Sequence, residues 1–117
     1  MLEKILSGRI DLIGQFDCNQ AALLEEVVVI TPKYVRSMLE KYLQKNISAE
    51  DLQKWAAFVC IRSEYAVPGG YDDQIHDYYE PMYYVIQRLS TPELDGDITQ
   101  ARIKEYMKEL VLLKEPE

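Results

Sequence analysis

Residues 47–61 read ISAEDLQKWAAFVCI. Ser48 follows an apolar residue and can cap the first free backbone N–H groups of a helix, while Asp51 stands at the third helical position, where a carboxylate can complete a capping box. Leu52, four places after the cap, can fold back on Ile47 as a hydrophobic staple. Beyond it Leu52, Trp55, Ala56 and Val59 repeat at helical spacing, and Phe58 and Ile61 widen the stripe. A stripe of that width predicts a central helix buried on more than one side. It should stop before VPGG, where Pro68 and the Gly69–Gly70 pair break any regular element.

The same device marks two further helix starts, ITPKYV (30–35) and ITQARI (98–103), and nothing else recurs between the copies. Pro32 sits at the first helical position, where its missing N–H is harmless. Val35, Met38, Leu39, Tyr42 and Leu43 then form one face of a helix ending near Lys45 and Asn46, so KNI joins two helices as a hairpin. From Asp72 a third stripe runs through Ile75, Tyr78, Tyr79, Met82, Tyr83, Ile86 and Leu89. It keeps its phase across Pro81, so a kink is expected there rather than a new helix. STPELDGD reads as a loop, and the last helix runs from Thr99 with Ile103, Tyr106, Met107 and Leu110 inward.

In residues 1–30, LEKIL and NQAALLEE read as helical. EEVVVI is a β-branched run that suits a strand, but no second strand-like segment offers a partner, so a mostly helical N-terminus is expected. The chain of 117 residues is long enough for one core and too short for two. The expected fold is all-α: a single domain over 1–117, with a bundle of four or five helices, a helical core over 31–113 and a kinked Tyr-rich helix.

The formal charge of −7 is unevenly placed. Between Glu64 and Asp97 stand eight acids (Glu64, Asp72, Asp73, Asp77, Glu80, Glu93, Asp95 and Asp97) against one base, Arg88; the rest of the chain carries twelve of each sign. Such a field repels phosphates and attracts a basic partner, which disfavours direct nucleic-acid binding. Cys18 and Cys60 lie far apart with no CxxC spacing and read as reduced thiols, Cys60 in the core. Charges at Glu3, Lys4, Arg9 and Asp11 interrupt the N-terminal apolar run, so neither a signal peptide nor a membrane span is expected and the default address is cytoplasmic.

Asp72, Asp73, His76 and Glu80 share one side of the Tyr-rich helix, and a His with a carboxylate at i, i+4 can supply two metal ligands or a general acid/base pair. Zinc normally needs three or four protein ligands, and the chain has no second His and no thiolate pair to complete the set. No GxSxG elbow or phosphate-binding glycine loop occurs, and a Cys60–His76 pair would set its thiolate on an apolar stretch. No metal, cofactor or catalytic residue is therefore expected. Tyr78, Tyr79 and Tyr83 follow the stripe inward, whereas Asp73, Asp77, Glu80 and Tyr84 fall on the outer face with His76 beside them. Acids that steer encounter around a rigid aromatic anchor compose a surface for a basic protein. The candidate partner-binding residues are Asp72, Asp73, His76, Asp77, Glu80 and Tyr84.

The segment MLEKYLQKNISAEDLQKWAAFV (38–59), followed by an acidic middle, LSTPEL (89–94) and a last helix, resembles the small helical immunity proteins of the colicin D type, which protect bacteria from their own tRNA-cutting toxins. The likeness spans roughly residues 31 to 113 at the level of helix order and is sharpest in ISAEDLQKWA. The YAVPGGYDD loop and the leading 30 residues depart from the compact pattern, and no toxin-contacting residue carries across. The resemblance implies a cytoplasmic, non-enzymatic inhibitor that plugs the basic cleft of a nuclease toxin with acidic side chains. The competing expectations are a small metal-binding protein or enzyme using His76 with its neighbouring carboxylates, and a helical adaptor of an unrelated partner.

Overall fold

The computed structural model describes residues 2–15, 28–62, 65–69 and 72–115, the side chains of Gln15 and Asp95 excepted. Along the chain run α1 (Leu2–Leu6), a 3-10 turn (Ile10–Gln15), β1 (Val28–Val29), α2 (Pro32–Leu43), α3 (Ala49–Ile61), β2 (Tyr65–Ala66), α4 (Asp73–Ser90), α5 (Pro92–Asp95) and α6 (Gln100–Val111). The protein is a small all-α bundle: α2, α3, α4 and α6 have 12, 13, 18 and 12 residues, and α1 and α5 add about a turn each.

The capping box of α3 forms: Ser48 Oγ accepts from the Asp51 N–H and the Asp51 carboxylate accepts from the Ser48 N–H, each at 3.1 Å. Thr99 Oγ1 likewise accepts from the Arg102 N–H at 3.2 Å at the start of α6. Thr31 is a correction. It has the extended backbone of a cap, but its side chain makes no capping bond, and Pro32 begins α2 without it. At the other end of α2 the Asn46 N–H reaches Lys41 O at 2.8 Å and the Lys45 N–H reaches Tyr42 O at 3.0 Å, which puts Lys45 in the left-handed region at φ 65°.

The longest helices, α3 and α4, make the most extensive contact in the bundle, with α2 against α6 as the next layer. Leu52, Trp55, Ala56 and Val59 of α3 and Met82, Val85, Ile86 and Leu89 of α4 are buried, joined by Val35, Met38 and Leu39 of α2 and Ile103, Tyr106 and Leu110 of α6. Leu43 is only half-buried, and Ile61, expected to widen the α3 stripe, is 83% exposed at the last residue of that helix. α4 is one helix on both sides of Pro81. STPELDGD is not wholly a loop, because Pro92 at the first helical position starts the short α5.

The N-terminal segment belongs to the same core. Leu2, Ile5 and Leu6 are fully buried, although five residues are too few to hold a helix unaided. Side-chain donors hold α1 instead. Trp55 Nε1–H donates to Ile5 O at 3.1 Å and Leu6 O at 3.3 Å, the Tyr65 hydroxyl to Leu2 O at 2.6 Å, and Lys41 Nζ to Ser7 O at 3.1 Å. Val28 and Val29 of the EEVVVI run form a strand after all. They pair in parallel with Tyr65 and Ala66, and the Ile30 N–H extends the ladder to Ala66 O at 2.9 Å. NQAALLEE and Cys18 lie outside the described residues.

Replacing Trp55 by Ala is expected to destabilise the protein by about 3–5 kcal/mol, the usual loss for a large core aromatic. Trp55→Phe keeps most of the burial and removes only the N–H, so a smaller loss of about 1–2 kcal/mol is expected. Urea unfolding checks the totals, and amide exchange in α1 should rise in both variants. Unchanged exchange there would show that the indole does not fasten α1.

Candidate functional site

The acidic helix is set by a turn that only glycine fits. Gly69 has φ +117°, and a Cβ there would lie 3.0 Å from the His76 N and the Ile75 Cβ. Its carbonyl accepts from the Asp72 N–H at 2.8 Å, and Asp72 Oδ1 in turn accepts from the N–H groups of Gln74 at 3.0 Å and Ile75 at 3.3 Å. Asp72, read from the sequence as part of the partner surface, therefore serves as the N-cap of α4.

Every residue from Asp72 to Tyr78 is exposed, and burial begins at Tyr79. The first two turns of α4 thus lie at the surface of the bundle and bury no side chain. Asp73, Asp77, Glu80 and Tyr84 lie along its outer side, all exposed, and the Tyr84 hydroxyl donates to Glu80 Oε1. That bond, then the carboxylate charge, holds the Tyr84 phenol above its ordinary value near 10. The ion pairs among the described residues are Arg9–Asp11, Arg36–Glu115 and Arg88–Glu109. None includes Asp73, Asp77 or Glu80.

His76, Asp77 and Glu80 also line a groove of about 500 Å³ whose other walls are Tyr83 and residues 65–67 of the β2 segment. The structure so brings His76 together with Glu80, one of the three carboxylates predicted to work with it, and with Asp77, while Asp72 and Asp73 lie outside that groove. Cys60 is half-buried rather than in the core, with its Sγ 3.8 Å from the Tyr83 hydroxyl. This contact, with burial, raises the Tyr83 pKa. Among the described residues no three His, Cys, Asp or Glu side chains group so as to hold a metal ion, and no helix is long and apolar enough to cross a membrane.

The other flank of α4 carries residues that the sequence reading placed inward or passed over. Tyr78 and Ile75 continue the apolar stripe but are 41% and 44% exposed. Leu112 and Leu113, just past α6, wall a groove of about 440 Å³ with Pro81, Tyr84, Arg88 and Glu109. The segment after α6 is tied across α4 by hydroxyls: Tyr79 donates to Lys114 O at 2.6 Å, and the Lys114 N–H donates to the Tyr78 oxygen at 2.8 Å. The available signal was the apolar VLL at 111–113, which outlasts the inward positions of α6. Glu64 lies outside the described residues.

No protein-family model, curated protein or solved structure matches the chain.

The Tyr84–Glu80 bond gives a measurable titration. The Tyr84 ring, followed by NMR from pH 9 to 12, is expected to ionise later than a free phenol, and Glu80→Ala should bring it back toward about 10 by removing both the acceptor and the charge. Identical curves in the two proteins would mean that the carboxylate does not hold the phenol.

Proposed function

We propose that this is a non-enzymatic binding protein that meets a basic protein with the outer face of α4, and that it acts as an immunity protein against a nuclease toxin of the tRNA-cutting kind. The observation that carries the reading is the row Asp73, Asp77, Glu80 and Tyr84. Its three carboxylates are exposed and paired with no base among the described residues, and an aromatic stands at its end. Carboxylates already matched within the fold would have little left to offer; these keep their full field for an incoming cation. The choice of a nuclease as partner comes from the resemblance of residues 31–113 to colicin D-type immunity proteins, and from chemistry. A ribonuclease cleft is basic because it holds phosphates, and a row of carboxylates competes for the same side chains.

A second reading, a small enzyme or metal-binding protein using His76, has one observation in its favour: His76, Asp77 and Glu80 line one groove, although they do not group closely enough to form a three-ligand set. Zinc titration separates the two. Stoichiometric binding lost in His76→Ala would favour the groove as a metal site.

The partner captured on the wild-type chain is to be titrated with variants at two salt concentrations. The triple reversal of Asp73, Asp77 and Glu80 to Lys is expected to weaken binding at least 100-fold, about 2.7 kcal/mol, with melting nearly unchanged because the positions are exposed. Wild-type association should slow as salt rises, since exposed charges are screened beyond about 8–10 Å. Binding by the triple variant as tight as wild type would remove α4 from the interface. A partner without nuclease activity would remove the toxin.

A further inference from the structure

Past the end of α6, residues 112–115 run on and meet α4 at Tyr78 and Tyr79. Neighbours on a helix point about 100° apart, so two adjacent side chains rarely serve one target. Here they do. The two rings meet edge to face with centroids 4.8 Å apart, and both hydroxyls reach the backbone of Lys114. The Tyr78 oxygen accepts from the Lys114 N–H at 2.8 Å and the Tyr79 hydroxyl donates to the Lys114 carbonyl at 2.6 Å, so side chains of α4 satisfy both backbone groups of a residue outside any helix. Tyr78 directs its own proton toward Leu112 O at 3.5 Å. One residue beyond Lys114, Glu115 pairs with Arg36 of α2 at 3.3 Å. The segment is thus fastened to two helices, to α4 by hydroxyls and to α2 by charge.

We propose that residues 112–115 are a strap that holds the first turns of α4 in helical form, and that lifting it loosens those turns while the bundle stays folded. The turns need such support. Every residue from Asp72 to Tyr78 is exposed, so burial does not hold them, and the Asp72 side chain secures the N–H groups of Gln74 and Ile75 alone. Tyr78 and Tyr79, a turn further on, tie the helix to the strap. Lys114 and Glu115 also close one side of a groove of about 520 Å³ whose other walls include Pro68, Gly69, Gln74 and Ile75, so lifting them bares the turn from which α4 departs. The ties suit a segment that can lift. Hydrogen bonds that water can replace, and an ion pair between side chains 32% and 40% exposed, each hold weakly, while Leu112 is exposed and Leu113 only half-buried. Asp73 and Asp77 ride on the turns that the strap secures, so it governs the order of two members of the acidic row without touching either. The inference stands apart from what that row meets.

Native-state amide exchange on the full chain tests the strap from both of its sides. Tyr78→Phe together with Tyr79→Phe removes the hydroxyls and keeps the rings; Lys114→Pro removes the Lys114 N–H and leaves α4 unaltered. Circular dichroism checks that each variant folds. Amides of residues 74–78 are expected to exchange roughly 10-fold faster in the tyrosine variant and about 3-fold faster in Lys114→Pro, with amides of α3 within about 2-fold of wild type. Faster exchange in the tyrosine variant alone would place the effect inside α4 and overturn the strap. Unchanged exchange at 74–78 in both variants, even with faster exchange at 112–115, would overturn it too. An equal rise in α3 would show a general loss of stability, with no separate holding of the helix start, and would also overturn the proposal.

Discussion

A tryptophan buried in a protein interior still needs an acceptor for its indole N–H, and Trp55 meets that need at the C-terminal end of α1, where it shares the Ile5 carbonyl with the Gly8 N–H and also reaches Leu6 O. With α1 fixed beneath α3, the Leu2 carbonyl stands where the Tyr65 hydroxyl can reach it, and Tyr65 begins β2. The pairing of β2 with β1 then anchors the chain just before Pro68 and Gly69, the turn from which α4 departs. The direction of the acidic helix so depends, through short steps, on a contact at the opposite end of the sequence.

α4 does two jobs at different points along its length. Its C-terminal part supplies Met82, Val85, Ile86 and Leu89 to the core, and its first turns bury nothing before Tyr79. Such a division explains how 18 residues can carry both a core stripe and an exposed acidic row. It also explains why the apolar residues at its start are surface residues: Ile75 and Tyr78 lie on the right side of the helix but beyond the reach of the elements that cover the rest of the stripe.

Much of this was legible in the sequence, for identifiable reasons. Ser48 with Asp51 is a local signal, complete within four residues, and it forms. The inward faces of α2, α3 and α6 follow from periodicity, which fixes direction. Periodicity does not fix extent, and Ile61, Ile75 and Tyr78 were therefore placed inward although they end exposed. The β1–β2 pair was illegible because each strand is two residues long and the partners, Val28 and Tyr65, are far apart in the chain. Of the candidate site, the row Asp73, Asp77, Glu80 and Tyr84 follows from helical spacing. The cap made by Asp72 was hidden because an Asp before a helix and an Asp on its face look alike until the first turn is seen.

Pro81 has no N–H to offer the carbonyl of Asp77, so the hydrogen-bond ladder of α4 has a gap between its exposed start and its buried end. Opening of the turns before the gap uncovers little apolar surface and breaks few bonds shared with the core, and so costs less than global unfolding. The acidic row thereby sits on the segment of α4 that can loosen and re-form without disturbing the bundle. In native-state exchange, the amides of residues 74–78 are expected to open as a unit separate from those of residues 82–90.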